Sequence, residues 1–278
     1  MSLTVFFAVL FAAALHATWN ALVKTGFDRF RTMLILSIAQ GLMGLVMILI
    51  FPIPARAAWP YLIATGLVHT AYKLFLAAAY EHGDLSRVYP IARGAAPIMV
   101  ALVGLAILSD PVTLPQYGGI VLIGLGIMMM ARGIWTGREA TKLLPLALAS
   151  AACTATYSIL DGIGARLALS ASAFTGWMFF LDGVFFSTYA LIKKGPGTFN
   201  VPQRIWAIGS FAGALSLCTY WIVIWAMTVA PIQLVTALRE TSVLFATLIG
   251  IVWLGEKADR SKLIAAALIV AGMVTMRL

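Results

Sequence analysis

A handful of charged and polar side chains sit inside stretches that are otherwise apolar. In the run 59–80, His69, Tyr72 and Lys73 fall at i, i+3 and i+4, which puts all three on one face of a helix. Lys73 lies about 14 residues, or ~21 Å, from the outer end of that run, too deep for its ammonium to reach the interface easily. Arg93 follows Tyr89 by one turn in the run 86–108. In the run 232–254, Gln233, Thr236 and Glu240 form a stripe with Arg239 beside it. Asp182 occupies the middle of the run 172–192, and His16, Asn20 and Lys24 recur every four residues near the start. Trp19, Tyr157, Trp221 and Trp225 are deep enough in their runs to line a cavity.

A charge at the centre of a bilayer costs about 2.5–3.5 kcal/mol on insertion scales, so it faces a partner or a wet cavity. Lys73, Arg93 and Arg239 are three positives against the two negatives Asp182 and Glu240. A surplus buried cation calls for an anion, and Arg and Lys bind carboxylate, phosphate or phosphonate groups well. Each residue also has a plainer use. Asp182 and Glu240 serve equally as charge partners of the arginines or as proton-coupling groups. Lys73 and Arg93 have Glu81 as a possible shared acid. His16, Asn20 and His69 suit ordinary interhelical hydrogen bonds. Lys24 suits snorkelling to the interface.

The elements that carry these residues follow from composition. Of 278 residues, 62% are hydrophobic and 10% charged, against about 25% charged in soluble domains. Apolar runs fall at 3–24, 31–51, 59–80, 86–108, 115–133, 143–163, 172–192, 204–227, 232–254 and 260–277. The expectation is an all-α integral membrane protein with ten transmembrane helices. The runs are continuous, unlike the alternating segments of a transmembrane barrel.

Lys24, Arg29, Arg31, Arg87, Arg132, Arg138 and Lys142 crowd the loops of one side, with Lys193, Lys194, Arg204, Lys257, Arg260 and Lys262. Arg56, Arg166 and Arg277 lie on the other side. The excess of Lys and Arg marks the cytoplasmic face, which places both termini on the non-cytoplasmic side. A bacterial inner membrane suits such a chain. The net charge of +9 is therefore topological, and no basic run exceeds Lys193-Lys194, which argues against nucleic acid. Cys153 and Cys218 read as buried free thiols rather than a disulfide or metal site. The first run lacks a basic leader and reads as a retained span.

The chain also repeats. A shift of 146 pairs Arg93 with Arg239, Gly104 with Gly250, Gly126 with Gly272 and Asp110 with Glu256. A shift of 138 sets His-Ala-Thr-Trp-Asn at 16–20 against Thr-Ala-Thr-Tyr-Ser at 154–158. Five spans per half is an odd number, so the halves must be inverted. The expected division is a first repeat over 1–133, a cytoplasmic connection over 134–142 and a second repeat over 143–278. Pro90, Gly94 and Pro97 make the fourth run the expected kink, and Gly209 and Gly213 permit close packing of the eighth.

The motifs Ala-Thr-Trp-Asn-Ala-Leu-Val-Lys at 17–24 and Val-Tyr-Pro-Ile-Ala-Arg-Gly at 88–94, with the turn Gly255-Glu256-Lys257, resemble the EamA-like branch of the drug/metabolite transporter superfamily. One departure is Ser109-Asp110-Pro111, where the family more often carries a glutamate turn. The resemblance implies a transporter of small solutes. The family's cargoes include amino acids, nucleotide sugars, amines, drugs and phosphorylated metabolites.

The resulting expectation is a secondary transporter of a small anionic or zwitterionic metabolite, of amino-acid, phosphate or phosphonate type, working by alternating access. The alternatives are an exporter of organic cations or drugs by proton exchange, and a membrane-embedded enzyme. An enzyme is disfavoured because the chain has three histidines and neither H-E-x-x-H nor G-x-S-x-G. No cofactor or metal is expected. The expected partners are the lipid bilayer and the small-molecule substrate, with the protein a monomer or homodimer. The substrate-binding candidates are His16, Trp19, Asn20, His69, Tyr72, Lys73, Tyr89, Arg93, Tyr157, Trp221, Thr236 and Arg239. Asp182 and Glu240 are candidates for proton coupling or charge pairing.

Overall fold

In lipid no water satisfies a backbone N–H or C=O, so a continuous apolar run must close its hydrogen bonds internally and form a helix. The computed structural model, which describes residues 1–24, 28–81, 85–130, 140–254 and 260–277, contains helices at all ten runs. They are α1 (Leu3–Lys24), α2 (Arg29–Ile50), α3 (Trp59–Glu81), α4 (Leu85–Ile107), α5 (Leu114–Met129), α6 (Ala140–Leu167), α7 (Ala171–Lys194) and α8 (Gln203–Val229). The ninth run forms two helices, α9 (Ile232–Glu240) and α10 (Ser242–Leu254), and the tenth forms α11 (Arg260–Thr275). α4 runs continuously through Pro90, Gly94 and Pro97, and the ninth run is divided at Thr241.

Six of the ten expected spans qualify among the described residues as long and apolar enough to cross a membrane: Leu3–Val23, Phe30–Ile50, Leu144–Leu167, Ala171–Lys194, Gln203–Val229 and Ile232–Val252. α5 and α11 have sixteen residues each. The protein is an all-α, multi-span membrane protein. Its exteriors agree with lipid as solvent. Leu3, Phe7 and Phe11 recur every four residues on α1 and are each about three-fifths exposed, a stripe that water would penalise.

The chain forms two compact units. Unit 1 comprises Met1–Ala13, Ala71–Ile159 and Ala230–Leu278, and unit 2 comprises Ala14–Thr70 and Leu160–Val229. In unit 1, α5 packs on both α4 and α11. Its small core joins Leu76, Ala79, Ile91 and Ala147, with Ala95, Ala96 and Ala151 beside Met99. In unit 2, α2 packs on α7 and α8. There Trp19, Val23, Leu36 and Ala212 are buried together. Gly209 and Gly213 of α8 do lie against α2, at Ile35, Leu36 and Ala39.

Both strongest pairings join corresponding runs of a five-plus-five count, the second with the seventh and the fifth with the tenth. Each depends on backbones that touch. A Cβ on Gly44 would stand 2.6 Å from Gly176 O and 2.9 Å from Phe180 N. One on Gly119 would stand 2.7 Å from Gly272 O. Without a hydrophobic force between helices in lipid, such close contact supplies the packing energy. Gly44→Ala is therefore expected to destabilise the protein by about 1–3 kcal/mol, since backbone atoms cannot step aside as a side chain can. Gly118→Ala, on α5 with open space around it, is expected to be neutral or slightly stabilising. Thermal unfolding of the detergent-solubilised protein compares the two directly.

Candidate functional site

The site in unit 1 is organised by α9. Its first backbone N–H groups lack intrahelical acceptors. Ile232 N–H donates to Asp110 Oδ2 at 2.9 Å, so the loop acid after α4 caps the positive end of the helix. Gln233 packs against Gly104 of α4, where a Cβ would meet its amide at 2.8 Å. All nine residues of α9 are buried. The helix then ends on Glu240. Thr241 N–H turns back to Leu238 O at 3.2 Å, and Leu244 N–H reaches Thr241 O at 2.8 Å, a tightened turn before α10.

A carboxylate at a helix C-terminus meets the negative end of the dipole and needs cations nearby. Glu240, fully buried, has two. Arg93 Nη1 donates to Glu240 Oε1 at 3.2 Å and to Oε2 at 3.1 Å. Arg239 donates to Oε1 from Nε at 3.1 Å and from Nη2 at 2.7 Å. Arg93 is held in place because its neighbour Gly94 lets α4 lie directly on α5, 2.9 Å from Gly124 O by its would-be Cβ. Arg239 Nη2 also donates to Ser158 Oγ at 3.4 Å, and its guanidinium lies 5.6 Å from the centroid of the Tyr157 ring. Tyr157 in turn meets Tyr72 edge-on at 5.7 Å. Arg93, Arg239, Glu240, Tyr157 and Tyr72 thus form one connected cluster. Arg93 and Arg239, the pair related by the 146-residue shift, share one carboxylate.

Thr236 lies one turn before Glu240 on α9, wholly buried, and its hydroxyl makes no hydrogen bond among the described residues. Lys73 is half-buried on α3. The Tyr89, Lys24 and Glu81 side chains lie outside the described residues.

Unit 2 holds a second polar cluster that sequence reasoning missed. Asp161 of α6 is buried and accepts from Thr65 Oγ1 at 2.5 Å, with His69 Nε2 at 3.3 Å from its other oxygen. The His69 ring stands edge-on to Tyr220 at 5.5 Å, and Tyr220 to Phe179 at 5.7 Å. An acid inside an apolar run was itself the available signal. Asp161 adds a third buried acid to Asp182 and Glu240 among the described residues. In unit 1, Glu240 faces both arginines.

The remaining candidates separate. His16 is buried with its ring edge-on to Trp19 at 4.9 Å. Asn20 Nδ2 donates to His16 O at 2.7 Å, spending its amide on its own helix. Trp19 packs with Val23 and Leu36, and its indole N–H has no hydrogen-bond acceptor among the described residues. Asp182 is buried on α7. Trp221 is brought to none of the other candidates. It is 36% exposed, donates to Ser172 Oγ at 2.9 Å and meets Phe51 edge-on. Both cysteines are free. Among the described residues no group of His, Cys, Asp and Glu is arranged to hold a metal ion.

The sequence pattern of the EamA-like transporter family matches residues 3–132 and again residues 141–278. The chain belongs to the EamA-like transporter family. It is a secondary transporter of small molecules embedded in lipid, not an enzyme. Among solved structures, 29 chains match it. One, described as "Crystal structure of protein", is 17% identical, with a TM-score of 0.79 over 98% of this chain and 96% of the other. That likeness carries the fold alone. No curated protein matches the sequence.

The shared carboxylate makes an asymmetric prediction for this transporter. Glu240→Gln leaves two buried guanidiniums without their anion, whereas Arg93→Gln leaves Arg239 and Glu240 matched. Breaking a buried pair costs about 3–5 kcal/mol. Glu240→Gln is expected to lower thermal stability by that order and Arg93→Gln by clearly less, as read by unfolding in detergent.

Proposed function

We propose that this transporter moves a small anionic or zwitterionic metabolite, of amino-acid, phosphate or phosphonate type, across the bacterial inner membrane by alternating access. The observation that carries this reading is the single carboxylate of Glu240 serving the guanidiniums of both Arg93 and Arg239. In that buried cluster two permanently charged guanidiniums converge on one carboxylate. Guanidinium groups bind carboxylate and phosphate in a bidentate fork, and a low dielectric strengthens the contact. An arriving anion takes one guanidinium over while Glu240 keeps the other, so no cation is stranded at any stage. The Tyr157 face beside Arg239 and the hydroxyl of Thr236 offer further contacts to the solute.

The architecture in this reading is ten transmembrane helices in two inverted five-helix repeats, 1–133 and 143–278, joined by a cytoplasmic connection. Both termini lie on the non-cytoplasmic side, and the protein is a monomer or homodimer. The double match of the family pattern and the 146-residue shift support the repeats. The break at Thr241 supports a site near the midplane, since transporters bind substrate where a membrane helix is discontinuous. Access alternates by rocking of the two halves, and the break lets α10 move while α9 stays docked.

A second reading is export of organic cations by proton exchange. It draws on the buried acids Asp161 and Asp182, with Tyr220 and Phe179 close to the first. Thermal unfolding of the purified protein with inorganic phosphate, amino acids and organic cations separates the two. A ligand at 100 times its Kd stabilises the native state by about 2.7 kcal/mol. Phosphate or carboxylate compounds are expected to raise the Tm, and Arg93→Ala and Arg239→Ala to abolish the rise. Stabilisation by organic cations alone would overturn the anion reading and move the site to the acids.

A further inference from the structure

We propose that Asp161, with His69 and Thr65, is a proton-binding site of the transporter, separate from the arginine cluster. The proposal rests on the secondary-transport reading, which requires a coupled ion or a passive path, but not on the charge of the cargo.

Asp161 and Glu240 are both buried acids, yet they are compensated differently. Glu240 has two guanidiniums, whose charge is permanent at any physiological pH. Asp161 has a hydroxyl, Thr65 Oγ1 at 2.5 Å, and an imidazole, His69 Nε2 at 3.3 Å. Thr65 and His69 are four residues apart on α3 and so present one face to α6. A hydroxyl carries no charge, and histidine is the side chain that gains or loses a proton most readily in water near neutrality. The charge of this pair is therefore set by protons, whereas that of the arginine cluster is set by the sequence.

The geometry assigns the proton to one atom. Thr65 donates to Oδ1, which leaves Oδ2 facing His69 Nε2. With Asp161 ionised and His69 neutral, the imidazole carries its hydrogen on Nε2 and donates to Oδ2. When hydronium delivers a proton to Nδ1, an N–H bond forms there while the Nε2–H bond breaks and its hydrogen passes to Oδ2, so that the carboxyl now donates to Nε2 and water is left behind. The same contact serves both states. Release on the opposite side of the membrane reverses these steps and returns the proton to water, with no change of oxidation state.

Apolar and aromatic side chains surround the pair. From α7, Leu181 and Phe185 close on Gly66, and Phe174 closes on Gly164 of α6. From α8, Tyr220 stands edge-on to His69, backed by Phe179 of α7. The other ionisable groups that these elements and α1 carry in the same unit include His16 of α1, Tyr61 of α3, Arg166 of α6, Asp182 and Tyr189 of α7, and Cys218 of α8. Arg166 Nε is engaged by Met227 O at 2.9 Å, and Asp182 and His16 are buried in the same unit.

Infrared spectroscopy of the protein reconstituted in vesicles, titrated with acid, reads a protonated carboxyl directly. The expected result is a carboxyl band that grows on acidification, is lost in Asp161→Asn and survives in Asp161→Glu. Thr65→Val removes a donor to the ionised form and is expected to move the transition upward by about one pH unit. If Asp161→Asn does not fold, the Thr65→Val shift decides by itself. A band unchanged in Asp161→Asn, lost instead in Glu240→Gln or Asp182→Asn, or absent from the native protein overturns the proposal. Phosphate-induced thermal shifts of the same samples test the arginine cluster independently, so loss of one site's signature leaves the other's intact.

Discussion

One carboxylate, without exposed surface, holds two guanidiniums at the point where the ninth apolar run stops being a single helix. Much of unit 1 is arranged around this interaction. Asp110 caps α9 and Gly104 receives Gln233, which docks the N-terminal end of the helix against α4 and the loop that follows it. Gly94 brings α4 onto α5 and so fixes Arg93. Tyr157 and Ser158 of α6 also contact Arg239. A charge cluster in lipid is tolerable only when every member is engaged, so the packing around α9 and the electrostatics at its end constrain each other.

The two units solve the burial of charge in opposite ways. Unit 1 carries fixed cations and one acid. Unit 2 buries Asp161 and Asp182, and Asp161 has a hydroxyl and a histidine beside it, with Tyr220 against that histidine. Each unit gathers segments from both ends of the chain, and each is built on a pairing of corresponding runs, α2 with α7 and α5 with α11. Those pairings rest on glycine backbones in contact, which is the packing available where apolar side chains gain nothing by leaving lipid.

Helix positions were legible in the sequence because lipid forces any long apolar run to be helical, and the runs agree with the helices within a few residues. The break at Thr241 was not, since Thr-Ser inside an apolar run has no composition that marks an end. Asp161 was missed for a related reason. Gly162 and Gly164 make the sixth run seem to end at about 163, which sets the acid near an interface. The helix continues to Leu167 and carries Asp161 into the interior. The pairing of Glu240 with Arg93 or Arg239 was visible as one alternative, and the structure gives both at once. Trp221 illustrates the opposite difficulty. α8 is apolar on nearly every side, so depth along the helix was readable but direction around it was not.

The proposed function requires the Arg93–Arg239 pair to take an anion beyond Glu240. A crystal structure of the protein soaked in bromide tests it most directly, because anomalous scattering locates the ion without assuming a substrate. The account predicts a bromide peak in contact with the Arg93 or Arg239 guanidinium, with Glu240 still bound to the other. Bromide found only at exposed loop lysines and arginines, with Glu240 holding both guanidiniums unchanged, would contradict it.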